Sequence, residues 1–350
     1  MFGIYRFILA FNVVLFHILK VPQIGSLAVY SFFILSGYLM TYIMHHTYGY
    51  SYKGVKLYAL NRFYRLFPVY WALMLVTVFV IMVVGNDFAS TFHIAMRLPQ
   101  DITELIINIT MVYPDFSPSS YTPRLAPATW ALTIELFFYL LIGLGISKSK
   151  LRTNIWFTCS ICYVLYNNIL LKQYGLDYGN FISASLPFSI GAMLFFHKNT
   201  IQNLLLKFHL FKLRTVTSLF TFNVIFCSTV VFIFPEQSWK IVILCKAVNL
   251  VLSAVMVIKL SETKSDTPLI KSIDKFTGDL SYPVYVFHWA AACFASWLLY
   301  TSPQKGPMAF TIGLVLTIVV SVIVNKFIND KIELLRRKVK KSPAALTCSD

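Results

Sequence analysis

The chain has 350 residues, of which 57% are hydrophobic and only 13% charged; a soluble domain carries about a quarter charged residues, so a soluble globular enzyme is excluded. The formal charge is +16, from 30 Lys and Arg against 14 Asp and Glu. On a soluble protein that balance would point to nucleic acid, but here the basic residues cluster between apolar stretches, where bilayer orientation and surface contact account for them.

The apolar stretches run for about twenty residues without the alternation of an outer-membrane barrel, which predicts an all-α polytopic membrane protein. Ten windows read as transmembrane helices, at approximately 2–20, 26–44, 66–84, 128–146, 154–171, 180–197, 216–234, 241–258, 282–300 and 307–325. The first lacks a charged region before Arg6 and a small-residue cleavage site after it, so it reads as a span rather than a signal peptide. It contains RFILAFNVVLFH, residues 6–17. Arg6 and His17 stand about 20° beyond three full turns apart, hence on one face, separated by about 16.5 Å along the axis. Asn12 lies between them in depth at another angle. Arg6, at a span end, can snorkel to the interface. His17 is either satisfied by a neighbouring helix or a working imidazole.

The second window contains FFILSGYL, which places Ser36 and Gly37 mid-span, where small residues allow close helix approach. Nothing beside Ser36 resembles a nucleophile elbow, so packing is its expected role. Arg62 and Arg65, in RFYR, share a helix face, and Pro68 in LFPVYW fits the first turn of a helix. The two arginines either set topology or form a fork for phosphates.

Segment 85–127 contains Pro99, Pro114, Pro118, Pro123 and Pro127, so most of it is no plain helix. Within it Ile102, Leu105, Ile106, Ile109 and Tyr113 recur at helical spacing opposite Asp101, Glu104 and Asn108. That pattern predicts a helix lying on the outer surface, either a lid or a structural loop. Asn108-Ile109-Thr110 matches a glycosylation sequon. Glu135, in TWALTIELFFYL, is the one carboxylate expected deep within a span. At the depth of His17 it would orient that imidazole and fix its tautomer. Cys159 and Cys162 form a CxxC inside an apolar helix and read as packing residues, with neither a metal site nor a disulfide framework expected. His288 falls in the inner half of the ninth window, in LSYPVYVFHW, with Tyr282 and Tyr285 on or near its face. The tail containing KIELLRRKVKK is expected on anionic lipid headgroups.

Loops test the count. Segments 45–65, 147–153, 198–215, 259–281 and 326–350 hold 22 Lys and Arg, and the alternate segments hold 5. The asymmetry predicts an even number of spans with both termini cytoplasmic.

Five fragments carry a resemblance. In order they are Arg6 with His17, then FFILSGYL, then RFYRLFPVYW. TWALTIELFFY (Trp130, Glu135, Tyr139) and LSYPVYVFHW (Ser281, Tyr282, Pro283, Tyr285, His288) follow. Together they resemble the membrane-bound acyltransferase 3 family, bacterial proteins that O-acylate carbohydrates. The resemblance implies a transmembrane domain over 1–330 with a basic cytoplasmic tail at 331–350, in the bacterial inner membrane, in the stand-alone form without an SGNH domain. It implies transfer of an acetyl or other acyl group from cytoplasmic acyl-CoA, acetyl-CoA being the co-substrate and no metal being required. The implied acceptor is a lipid-linked oligosaccharide or polysaccharide, as in the O-antigen of lipopolysaccharide or an exopolysaccharide unit. By the same resemblance His17 acts as general base or transient acyl carrier and Glu135 steadies it, while Arg6, Arg62 and Arg65 bind the donor. Asn12, Ser36, Trp130, Tyr139, Tyr282, Tyr285 and His288 are then substrate contacts or structural. The rival class is a saccharide transporter or flippase using the same intramembrane polar residues, although the Gly/Pro-broken helices of an inverted repeat are missing from the sequence.

Overall fold

A chain this apolar satisfies its backbone within helices, because hydrocarbon offers no other partners for N–H and C=O groups. A computed structural model describes residues 1–169, 179–207, 212–263 and 267–340, and every regular element among them is helical. In order these are α1 (Phe2–Ile18), α2 (Ile24–Ile43), α3 (Tyr52–Val84), α4 (Asn86–Phe92), α5 (Ile102–Thr110), α6 (Trp130–Gly143) and α7 (Lys150–Ile169). There follow α8 (Phe181–Lys207), α9 (Leu213–Ile233), α10 (Trp239–Glu262), α11 (Pro268–Leu299), α12 (Pro307–Val324) and α13 (Asp330–Lys340).

Each apolar window of the sequence falls, within the described residues, on one of these helices; residues 170 and 171 of the window 154–171 lie outside them. Among the described residues six helices are long and apolar enough to cross a membrane: Ile24–Tyr48, Tyr52–Val84, Phe181–Leu206, Leu213–Ile233, Trp239–Glu262 and Pro307–Asn329. Helix α1 and the segment Pro127–Gly143 are apolar but shorter. The chain is thus a multi-pass helical membrane protein, while length and apolarity alone carry six crossings and not the expected ten.

Two helices begin earlier than hydropathy predicts. Helix α3 starts at Tyr52, where the Ser51 hydroxyl accepts a hydrogen bond from Gly54 N at 3.1 Å. Pro68 therefore lies inside the helix and not in its first turn. At about 1.5 Å per residue, the 33 residues of α3 reach about 50 Å, well past a hydrocarbon core. Helix α11 starts at Pro268 and runs through Pro283. Hydropathy marks where a helix becomes apolar, not where its hydrogen bonds begin.

Helices α1 and α11 lie side by side and point the same way. Gly3 meets Asp274 and Gly278 at one end, and His17 meets His288 at the other. The α1 start is fastened by Ile4 N, which donates to Asp274 Oδ1 at 3.0 Å. Helices α2 and α8 cross closely at Gly37 and Gly191: a Cβ on Gly37 would fall 2.2 Å from Phe188 O, and one on Gly191 2.1 Å from Ile34 O. The expected close approach at Gly37 is thereby located.

The segment after α3 folds back on it. The predicted surface helix is α5, capped by Asp101, whose Oδ1 accepts from Glu104 N at 2.8 Å. Tyr70 donates to Asn108 O at 2.6 Å and Trp71 Nε1 to Ile109 O at 2.9 Å, so α5 is tied to α3. Asn108 is fully buried, its Nδ2 donating to Glu104 O and Pro123 O while its Oδ1 accepts from Leu125 N. Every hydrogen-bonding atom of its amide is used internally, so the sequon is a structural clasp and not a glycan acceptor. Ile102 and Ile106 stay exposed on the opposite face of α5.

Candidate functional site

Helices α1, α2, α3, α6 and α11 line a half-open cavity whose empty space, open solvent included, is about 700 Å³. Arg6, Arg62 and Arg65 stand at one end. Ser36, Glu135, Tyr139, Ser281, Tyr282 and Tyr285 line it further, among apolar residues that include Phe32 and Leu132. The polar extension of α3 is what delivers Arg62 and Arg65; had the helix begun at residue 66, neither would be held by it.

Glu135 is the anionic member of this lining. Ser36 and Tyr139 both donate to its Oε1, the tyrosine at 2.6 Å. Arg6 lies within electrostatic reach of Arg65, Glu135 and Arg62. One carboxylate thus faces three guanidiniums, and the cavity keeps an excess of positive charge. Tyr282 donates to Leu66 O at 3.0 Å and Tyr285 to Ala128 O at 2.8 Å, so both phenols pin α11 to its neighbours.

The histidines form a second focus. His17 Nδ1 lies 2.8 Å from His288 Nε2, with the two rings nearly coplanar at 4°. His288 Nδ1 is 2.9 Å from Tyr285 O. A carbonyl only accepts, so His288 carries its proton on Nδ1 and presents a bare Nε2. His17 must then donate from Nδ1, which leaves the lone pair on its Nε2. His288 is 1% exposed whereas His17 is half-buried. The partner expected for His17 was Glu135; the fold supplies His288 instead, because α11 and not α6 lies against α1 at that depth.

His17 itself does not line the cavity. The lining ends at Tyr285, whose ring centroid is 6.4 Å from that of His288 and 6.2 Å from that of Phe32. Beyond the imidazoles lie groups from the connecting segments. Trp289 packs 5.0 Å from His17 and 4.3 Å from His93, and Lys305 Nζ sits 4.4 Å over the Trp289 ring. Burial first, and then the charges of Lys305 and Arg124, push His93 down to about 3, so it is neutral at physiological pH. Arg124 is itself buried, its Nε donating to Pro127 O at 3.0 Å and its Nη1 to Tyr121 O, a clasp on the loop that leads into α6.

Besides His17 and His288, two residues named from sequence stay apart from the cavity lining. Asn12 is half-buried on α1, and Trp130 packs at the start of α6 against the core. His93, Trp289 and Lys305 beside the imidazoles were not named from sequence, and neither was one residue near the arginines. Arg336 on α13 is buried, with its Nη1 2.5 Å from Glu333 Oε2. Burial first and then the charge of Arg65 pull its guanidinium down to about 10. In RRKVKK nothing distinguishes Arg336 from Arg337, so only the packing of α13 on α3 singles it out.

A family model described as an acyltransferase domain, of the acyltransferase 3 type, matches residues 3–326. Neither a curated protein nor a solved structure matches the chain.

Proposed function

The chain belongs to this acyltransferase 3 family, and from that premise we propose that it moves an acetyl or related acyl group from cytoplasmic acyl-CoA to a sugar hydroxyl of a lipid-linked surface polysaccharide. The observation that carries the reading is one cavity with guanidiniums at one end and, past Tyr285 at the other, an imidazole pair with a determined tautomer. Coenzyme A is a polyanion, and planar guanidiniums suit its phosphates. On the positive-inside reading the arginine end faces the cytoplasm of the bacterial inner membrane and the histidine end faces outward.

His17 Nε2 then removes the proton of the acceptor hydroxyl, and the oxygen attacks the thioester carbonyl. The new C–O bond forms, the C–S bond breaks, and the leaving thiolate takes the proton from the His17 imidazolium. His288 holds the His17 Nδ1–H throughout, so it positions the base without touching substrate. Glu135 balances the arginine charge and keeps Ser36 and Tyr139 in place. The thioester must pass the Phe32–Tyr285 aromatic pair to reach His17.

Membrane vesicles given labelled acetyl-CoA and lipid-linked acceptor test the proposal. Covalently labelled glycan that disappears with His17→Gln supports it. Transport of an unmodified saccharide, with no label on the glycan, would replace it by the carrier reading.

A further inference from the structure

Buried hydrogen-bond donors without acceptors are rare in native proteins, and each demands an explanation. At the arginine end four cluster. Arg62 Nε, Asn61 Nδ2, Tyr48 Oη and Arg336 Nε are all buried and lack a partner among the described residues, and their residues are at most 9% exposed. They come from three separate pieces of chain: the π-turn after α2, the polar extension of α3, and α13. Tyr48 lies within electrostatic reach of both Arg62 and Arg336, and Arg336 within reach of Arg65 as well. What Arg62 does bond to is weak or neutral: Met40 Sδ at 3.5 Å from Nη1, and Asn61 Oδ1 at 2.6 Å from Nη2. Of the carboxylates nearby, Glu333 is bound to Arg336, and Asp279 lies within electrostatic reach of Arg336 and Arg65.

From this juxtaposition we propose that Arg336, with Tyr48, Asn61 and Arg62, forms a phosphate-binding site, and that α13 is the element that closes it. A phosphate brings oxygen acceptors with spare lone pairs and negative charge, which is what a set of unpartnered N–H and O–H groups with two guanidiniums lacks. Helix α13 lies beyond residues 3–326, so the site draws a residue from outside the part of the chain that the family model spans. Resting on the donor reading above, the phosphate belongs to the nucleotide end of acyl-CoA; an anionic phospholipid headgroup offers the same chemistry.

The test uses the full-length chain in nanodiscs and three ligands: CoA, dephospho-CoA and pantetheine, the last without any phosphate. Arg336→Gln should weaken CoA about tenfold, the range for one charge-assisted hydrogen bond. Arg336→Lys, which keeps the charge and loses the Nε donor, should fall between. The Arg336→Gln penalty should vanish for pantetheine. An equal penalty on all three ligands would mean that α13 merely braces the fold, and would overturn the site. Unchanged CoA affinity in Arg336→Gln, with Arg62→Lys still weakened, would overturn the site and leave the donor reading standing. A parallel arm measures retention of phosphatidylglycerol by native mass spectrometry. Lipid loss in Arg336→Gln from a chain that binds no CoA would keep the phosphate site, assign it to lipid and remove the donor reading. Binding of neither ligand would overturn both.

Discussion

The two ends of the site are built on opposite principles. At the histidine end each imidazole is answered by the chain: Tyr285 O receives His288, His288 receives His17, and one lone pair is left over in a known place. At the arginine end several buried donors have no partner among the described residues. A closed hydrogen-bond relay suits a group whose orientation must not vary, since a wrong tautomer removes the base. An open excess of donors suits a ligand that arrives with its own charge. Under the proposed function, that difference assigns the chemistry to the histidine end and the cargo to the arginine end.

His17→Ala should therefore have the largest effect, a loss of acyl transfer of about 10³-fold or more with membrane insertion unchanged. Labelled-glycan yield against protein level in the membrane checks it, and retained activity would break the comparison at its root. His288→Ala comes next. It should lower kcat by about 10²-fold and displace the pH–rate profile, because the imidazole loses its tautomer lock and not its contact with substrate. A fall in rate with an unmoved profile would make His288 a packing residue. Arg65→Lys should raise the donor KM about tenfold and change kcat within about twofold, since a fork is lost while a charge stays. A kcat effect of the same size would place Arg65 at the chemistry and blur the two ends.

Two smaller effects concern the frame. Gly191→Val puts a side chain where Ile34 O already stands, and should destabilise the fold by about 1–3 kcal/mol through overpacking between α2 and α8. Thermal melting in detergent measures it. His93 gives the mildest signal. Its pKa in the folded chain is about 3, below the ordinary value of 6.5, so the unfolded chain takes up the proton first. Stability from this residue is full above about pH 6.5 and is lost as pH falls toward 3. His93→Gln should flatten part of that decline in melting temperature, and an unaltered pH slope would return His93 to the solvent.

Much of this was legible in the residues. The apolar windows located every long helix, and the amphipathic run at 102–109 located α5. Arg6, Arg62, Arg65, Ser36, Glu135, Tyr139, Tyr282 and Tyr285 were each singled out, and they line one cavity. The pairings were not legible. Glu135 looked right for His17 because both were polar groups at comparable depth in apolar helices, yet depth does not say which helix is the neighbour. The α3 start was misplaced because Tyr52–Arg65 is polar, and helical hydrogen bonding continues outside hydrocarbon.

By itself the sequence decided the helical, multi-pass character of this protein and its family, and put an arginine and a histidine on one face of α1. Those are properties of periodicity and composition, which act over neighbouring residues. Tertiary structure alone decided that His288 completes His17, that Glu135 answers to Ser36 and Tyr139, and that one arginine of the basic run on α13 is buried beside Arg65 while the sequence treats its neighbour identically. The reason is that a buried polar group is stabilised by whichever partner packing brings within about 3 Å, and that distance is set between helices far apart in the chain.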